Sequence, residues 1–188
     1  MGRWEPGAPG RLQQAAIELF AERGFDATTV ADIAGRAGVT ERAFFRHYAD
    51  KREVLFAGEA QLQAAFVDAV VQAPARSSAI ELVSTALETG CRTLQDARGP
   101  EFPRIRNAII AANQALQERE LLKMSHLTGV LAEAMVAHGL GVLQARLAAE
   151  LVVSVFITSF GSWIEVGETR DLVTIQRETL EVFLTLAR

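Results

Sequence analysis

Helical periodicity runs through almost the whole sequence and limits the possible folds more than any other feature. In the first stretch, Leu12, Ala16 and Leu19 fall on one apolar stripe of a helix predicted from Gly10 to Arg23. Strands usually show sustained apolar–polar alternation and hairpin turns such as Asn-Gly, and neither occurs here. The pattern predicts an all-α protein of about nine helices.

Capping residues place the short helices of the N-terminal part. Thr29 is followed three residues later by Asp32, the spacing of a capping box, so a short helix is predicted to begin there. Thr40 lies two residues after Gly38 and is a suitable N-cap for a second short helix over 41–47. Two short helices joined by a turn at Gly38 match helix-turn-helix geometry.

A longer fourth helix is predicted from Lys51 to about Gln72, because Asp50 and Glu53 form a second capping box at its start. The C-terminal part is predicted to contain five more helices, at 78–96, 101–111, 114–137, 142–167 and 171–187.

The most apolar segment, 147–166, is close to membrane-spanning length. Glu150 and Glu165 interrupt it, so we interpret it as a buried helix of a soluble protein. The sequence opens without the apolar stretch of a signal peptide, and the single Cys91 cannot form an internal disulfide. These features favour a cytoplasmic protein.

Positive charge is concentrated in one place. The 188-residue chain has a net charge of −4, which argues against general binding of polyanions. Residues 42–52, however, contain four basic residues and a single acidic one, Asp50. The basic residues are Arg42, Arg46, Lys51 and Arg52. A small basic patch on an acidic protein indicates one oriented anionic partner.

The second short helix has the two faces that a DNA-reading helix needs. Val39, Phe44 and Tyr48 share an inward side, on which they can pack against the core. In a helix-turn-helix motif the second helix lies in the major groove of DNA. The residues predicted for its outward side are Glu41, Arg42, Phe45 and Arg46.

The chemistry of these side chains suggests separate roles. Arg42 can bond guanine O6 and N7, and the ring of Phe45 suits a sugar edge or a thymine methyl group. Thr29 lies at a helix N-terminus, which attracts a phosphate. Further phosphate contacts are predicted for Thr40, Arg46, His47 and Lys51.

Other interpretations of the same residues remain open at this point. The basic, aromatic helix could be an ordinary amphipathic surface element. Arg46 could pair with Asp50, and His47 could cap a neighbouring carbonyl group.

The stretch "AAIELFAERGFDATTVADIAGRAGVTERAFFRHYADKREVLF" (15–56) resembles the DNA-binding domain of the tetracycline-repressor (TetR) family. The resemblance implies a helix-turn-helix domain over 1–50, a linking helix from about 51, and a ligand-binding and dimerisation domain over 51–188. It also implies DNA contacts by Thr29, Thr40, Arg42, Phe45, His47 and Lys51.

The sequence departs from the family pattern at two positions. Family members commonly have a tyrosine where this chain has Phe45, and a threonine at the position of Ala43. Because Phe45 lacks the hydroxyl that would reach a phosphate, the two changes shift the contacts towards Arg42, Arg46 and His47.

The last two helices are predicted to form a homodimer that binds a near-palindromic operator. Segment 142–167 is apolar around most of its circumference, so it must be covered on several sides. Segment 171–187 carries an apolar stripe, and two copies of both helices would make a four-helix bundle. The stripe consists of Leu172, Ile175, Thr179, Val182, Phe183 and Leu186.

A pocket for an apolar small molecule is expected among residues that are polar or aromatic on mostly apolar helices, although each could be ordinary core. The candidates are Phe66, Cys91, Asn107, Met124, Phe156, Ser159 and Trp163. His47, His126 and His138 are scattered, so we predict no metal site and no cofactor.

The resemblance implies the function of a transcriptional regulator, and specifically of a repressor that its ligand releases from DNA. We expect the ligand to act through a shift that is transmitted along helix 51–72. An enzyme is the first alternative, but the sequence offers no nucleophile–base pair or paired carboxylates, so we predict no catalytic residues. The second alternative is a helical interaction module that does not bind DNA. The presence of Arg42 and Lys51 argues against this alternative.

Overall fold

The computed structural model describes residues 7–186, without the side chain of Arg98. Over that range the chain forms nine α-helices and no β-strand, which confirms the all-α prediction. The helices are α1 (Ala8–Arg23), α2 (Val30–Arg36), α3 (Glu41–Phe45), α4 (Glu59–Val71), α5 (Ala79–Arg98), α6 (Glu101–Ala111), α7 (Gln114–Ala137), α8 (Val142–Trp163) and α9 (Leu172–Leu186). A 3-10 helix, Glu53–Phe56, precedes α4.

The chain divides into two compact units. Among the described residues, the first unit comprises 7–59 and 105–117, and the second comprises 60–104 and 118–186. Packing thus groups residues 105–117, from the middle of the chain, with the N-terminal helices, which a single boundary near residue 50 does not anticipate. The functional domains 1–50 and 51–188 remain a prediction.

The core of the first unit is built around α1. Leu12, Leu19 and Ile33 are almost fully buried, as are Phe44 and Leu55. Burial of side chains of this size stabilises a fold by roughly 1.5–3 kcal/mol each.

Side chains on α1 also anchor the segments that surround it. Arg11 Nε donates to the carbonyl of Ala37 at 3.3 Å, and Gln13 Nε2 donates to the carbonyl of Ala57 at 3.3 Å. These bonds fix the end of α2 and the residue that follows the 3-10 helix against α1.

The predicted continuous helix from Lys51 to Gln72 is wrong. The backbone leaves the helical region at Ala57, with ψ 135°, and Gly58 has φ +90°, which favours glycine. Only 59–71 is α-helical beyond that turn. The ligand-dependent shift can therefore not be transmitted along one continuous helix that begins at residue 51.

Helix α3 ends at Phe45 instead of His47, and α8 ends at Trp163 instead of residue 167. After α8, the N–H of Ile164 still bonds the carbonyl of Phe160, so the chain leaves the helix by a single capped turn. The remaining C-terminal helices agree with the predicted bounds to within about two residues.

In the second unit, α5, α8 and α9 pack against one another around a large apolar core. Two segments, Val142–Trp163 and Glu53–Val71, are long and apolar enough to cross a membrane by composition alone. The first contributes Val152, Phe156 and Trp163 to the core, as expected of a core helix. The second is interrupted at Gly58.

The predicted interface stripe on α9 divides into two parts. Leu172 and Ile175 are buried within their own unit, so they cannot meet a second copy. Val182, Phe183 and Leu186 remain exposed nearer the end of the helix. On α8, the exposed apolar side chains are Val142, Leu143, Leu147 and Ile157.

Candidate nucleic-acid interface

Reciprocal hydrogen bonds begin α2, as the sequence predicted. The Asp32 N–H donates to Thr29 Oγ1 at 3.1 Å, and the Thr29 N–H donates to Asp32 Oδ2 at 2.9 Å. The hydrogen bonds from Thr29 lower the pKa of the Asp32 carboxyl. Asp32 is therefore held as an acceptor for the cap.

The turn between α2 and α3 is closed by backbone hydrogen bonds. The N–H of Val39 reaches the carbonyl of Ala34 at 3.0 Å, and that of Gly38 reaches Gly35 at 3.2 Å. Thr40 then caps α3, because its hydroxyl accepts from the Ala43 N–H at 3.1 Å. The predicted helix-turn-helix geometry is present.

Aromatic side chains hold the inner face of α3. Phe44 is fully buried and packs on Tyr48, with ring centroids 5.6 Å apart. The Tyr48 hydroxyl donates to the carbonyl of Pro9 at 3.2 Å. Helix α3 is therefore fixed through its apolar side to the other N-terminal helices. The helices α1 to α3 and the segment up to Phe56 are called the head below.

The outer face of α3 is open to solvent and carries unpaired positive charge. Arg42, Arg46 and His47 are exposed, and none of their side chains has a hydrogen-bond or ion-pair partner within residues 7–186. Phe45 is 55% exposed and meets only the edge of Phe44 among the described rings, at 5.4 Å between centroids. Glu41 is exposed beside them.

Other arginines of the head are engaged by carboxylates. Arg36 bonds Glu22 at 2.9 Å, and Arg52 bonds Asp50 at 2.6 Å. Because Asp50 is bound by Arg52, the alternative pairing of Arg46 with Asp50 is not formed. The Arg52 guanidinium lowers the pKa of Asp50 through that hydrogen bond, helped by the backbone N–H groups of Arg52 and Glu53.

Lys51 differs from the other predicted contacts. Its ammonium donates to the carbonyls of Phe25 at 2.8 Å, Asp26 at 3.3 Å and Thr28 at 2.9 Å. It also lies 4.4 Å from the centroid of the Phe25 ring. This geometry counts against the predicted phosphate contact, because an ammonium has only three N–H donors.

Most of the predicted pocket residues lie in the packed core of the second unit. Phe66 and Phe156 meet edge to face with centroids 5.2 Å apart, and Trp163 is buried further along α8. Ser159 is buried, and its hydroxyl donates to the carbonyl of Val155 at 2.7 Å. Asn107 is exposed and belongs to the first unit.

Burial also determines the state of the single cysteine. Cys91 is fully buried, and the loss of solvation raises the pKa of its thiol to about 12. The thiol is therefore neutral at physiological pH, which does not suit a reactive cysteine.

A groove that the sequence analysis missed lies between α7 and α8. Its volume is about 770 Å³, within the range of small-molecule sites. Met124 is the one predicted pocket residue among its lining residues. The others include Thr128, Gly129, Ala132, Val136, Val142, Arg146, Glu150 and Val153. Gly129 and Ala132 are small residues at helical spacing on α7, and this spacing is the feature of the sequence that could have indicated the groove.

Comparison with known proteins supports the N-terminal geometry. A family model described as bacterial regulatory proteins, tetR family, matches residues 12–57. The transcriptional regulator TcmR of Streptomyces glaucescens is 33% identical over 109 residues, 58% of this chain and 47% of that protein. The transcriptional repressor KstR2 of Mycobacterium tuberculosis is 46% identical over 46 residues, 24% and 23% of the two chains. The chain thus covers less than half of each of these relatives.

Solved structures match over nearly the whole chain. SmeT, the repressor of the Stenotrophomonas maltophilia efflux pump SmeDEF, has a TM-score of 0.60 at 19% identity, covering 95% of this chain and 89% of that one. Its triclosan complex has a TM-score of 0.63 at 19% identity, covering 96% and 91%. The structure of Thermus thermophilus FadR with lauroyl-CoA has a TM-score of 0.54 at 19% identity, covering 94% of this chain and 93% of that one. At such identities the likeness establishes the fold alone.

Proposed function

We propose that this protein is a sequence-specific transcriptional regulator. Through residues 12–57 the chain belongs to the tetR family of bacterial regulatory proteins. The observation that carries this proposal is the outer face of α3. There Arg42, Arg46 and His47 stand exposed, and within the described part of the chain they are without carboxylate partners. Two unpaired arginines, with an exposed imidazole beside them, on a capped helix are what a major-groove contact needs.

The outer side chains divide into base-reading and phosphate-binding groups. Arg42, in the first turn of α3, is assigned to guanine, and the neighbouring Glu41 carboxylate can accept from a cytosine amino group. Phe45 is assigned to a thymine methyl group or a sugar edge. Phosphate contacts are assigned to Thr29, Thr40, Arg46 and His47. Such contacts fix register, whereas only base contacts select sequence.

The active species in this proposal is a homodimer on a near-palindromic operator. A single α3 reads few base pairs, so two heads one helical turn apart are needed for a specific site. The exposed apolar side chains of α8 and α9 support pairing at these helices, since Leu147 is 62% and Val182 60% exposed in the single chain. Exposed apolar side chains gathered on one surface mark interaction sites.

The proposed regulation is repression relieved by a small, mostly apolar molecule. Structural neighbours are known with triclosan, which is largely apolar, and with lauroyl-CoA, which carries an apolar acyl chain on a polar, charged coenzyme. The second unit offers the α7–α8 groove, and a core of aromatic residues around Phe66 and Phe156. The ligand must favour the weakly binding state by several kcal/mol to release DNA effectively. The proposed location is the cytoplasm.

Selection of bound fragments from random duplex DNA tests the proposal. The purified protein is expected to enrich one near-palindromic site and to bind it with steep salt dependence. Titration of the selected duplex would then give one dimer per site. Enrichment of no sequence, or equal affinity for selected and scrambled duplexes, would contradict a sequence-specific regulator.

A further inference from the structure

The carbonyl groups around Lys51 form a closed set of acceptors. Those of Phe25, Asp26 and Thr28 converge on one ammonium at 2.8–3.3 Å, and the Phe25 ring covers it at 4.4 Å. An ammonium has three N–H donors, and this arrangement accounts for all of them. The side chain is only partly exposed, unlike Arg42 and Arg46 on α3.

These carbonyls belong to the loop that leads into α2. The loop ends at Thr28, which is fully buried and whose hydroxyl donates to the carbonyls of Gly24 at 2.9 Å and Leu19 at 3.3 Å. The next residue, Thr29, is the N-cap of α2. Lys51 itself follows α3 in the chain. One side chain therefore ties the segment after α3 to the segment before α2.

We infer that Lys51 is a positioning residue, which holds Thr29 and the start of α2 in register with α3 and makes no phosphate contact of its own. This inference rests on the proposed DNA-binding function. To reach a phosphate, the ammonium would have to leave three carbonyl groups, and charge-assisted bonds of this kind are the stronger ones in proteins. The exposed Arg46 has no such bonds to give up.

The two possible roles respond differently to arginine. Arginine binds phosphate at least as well as lysine, so a phosphate contact would survive Lys51→Arg. Three carbonyls converging on one nitrogen suit a compact ammonium, whereas a planar guanidinium directs its N–H groups outward in a fork. A positioning role would therefore be lost in Lys51→Arg as well as in Lys51→Met.

The experiment measures how affinity depends on salt, using the duplex selected by the wild-type protein. Arg46→Met is the matched control for a phosphate contact. Because a dimer carries two copies of Arg46, it is expected to lower the slope of log affinity against log salt concentration by about 1.8, or about 0.9 for each copy. Lys51→Met and Lys51→Arg are expected to lose about tenfold or more in affinity at each salt concentration while the wild-type slope is kept.

Hydrogen exchange of the free proteins gives a readout without DNA. The amides of Thr29 and Asp32, which are bonded within the capping box, are expected to exchange faster in both Lys51 variants and at the wild-type rate in Arg46→Met. If Lys51→Met does not fold by circular dichroism, Lys51→Arg alone decides.

A Lys51→Met slope reduced as in Arg46→Met, or affinity kept by Lys51→Arg, would overturn the positioning role. Failure of the proposed function would look different. In that case the wild-type protein would select no duplex, and the exchange rates alone would decide: faster exchange in the Lys51 variants supports the inference, and unchanged exchange refutes it.

Discussion

The ring of Phe66 on α4 lies directly against Gly90 on α5. A Cβ atom at position 90 would stand 2.3 Å from Phe66 Cζ, far inside van der Waals contact. Phe66 is fully buried and also meets Phe156 edge to face, so its ring has little room to move away. The absence of a side chain at position 90 is therefore what lets α4, α5 and α8 share one aromatic contact.

We expect Gly90→Ala to destabilise the protein by about 1–3 kcal/mol, because the added methyl group overpacks the core. Urea denaturation measures the loss. Gly129→Ala is the control, since no heavy atom lies within 4 Å of its Cβ position; it should stabilise α7 by about 0.5–1 kcal/mol. Equal stability of the two variants would contradict the close contact.

Arg42 and Arg46 should differ in what they contribute to DNA binding. Arg42→Ala is expected to cost about 1–3 kcal/mol in each half-site of the selected duplex and to relax preference at one base position in each half-site. Arg46→Ala should weaken binding to every duplex alike and reduce the salt slope by about 1.8, since each dimer loses two phosphate contacts. Binding measured on the selected duplex and its single-base variants separates the two, and identical profiles would contradict the assignment.

Phe45→Tyr should strengthen binding. Phe45 is 55% exposed on the outer face of α3, so an added hydroxyl would be free to reach a phosphate. A new hydrogen bond of this kind contributes roughly 0.5–1.5 kcal/mol. The gain should be the same on selected and scrambled duplexes, because phosphates carry no sequence information. A gain confined to one sequence would place residue 45 against a base.

Leu147→Glu should dissociate the proposed dimer. A charge in the apolar face of α8 would be desolvated on pairing, which is costly without a partner. Sedimentation should show a folded monomer with weakened operator binding. Val166→Glu is the control, because Val166 is 90% exposed beyond the end of α8. A dimer that persists in Leu147→Glu would move the interface elsewhere.

Acid should weaken the segment between α8 and α9. The Arg170 guanidinium, hydrogen-bonded to Glu168, lowers the pKa of that carboxyl to about 2 from an ordinary 4.5. Since the folded pKa is the lower one, the interaction stabilises the protein above about pH 4.5 and is lost as the pH falls towards 2.

Glu168→Gln should accordingly be less stable than the wild type at pH 7, and the difference should shrink as the pH falls towards 2. Unfolding by urea at several pH values measures it. Glu133→Gln is the control, because the Glu133 carboxylate has no partner among the described residues. A difference that stays constant with pH would show that the ion pair is not responsible.

Local chemistry made parts of this structure predictable. Thr29 and Thr40 cap their helices as expected, because a cap depends on residues three positions apart. The break at Gly58 was missed because apolar periodicity continues across it. Nothing local signals the bonds of Lys51, since their acceptors lie 23–26 residues earlier in the chain. The α7–α8 groove likewise depends on how two helices are spaced.

Helix α3 has only five residues, too few to persist on its own in water. Its existence depends on Thr40 and on the buried side of Phe44, whereas Arg42, Phe45 and Arg46 contribute little to keeping it folded. Those three positions can therefore be exchanged at small cost to the scaffold. A lineage of such proteins could acquire new operators by substitutions there while the rest of the head stays as it is.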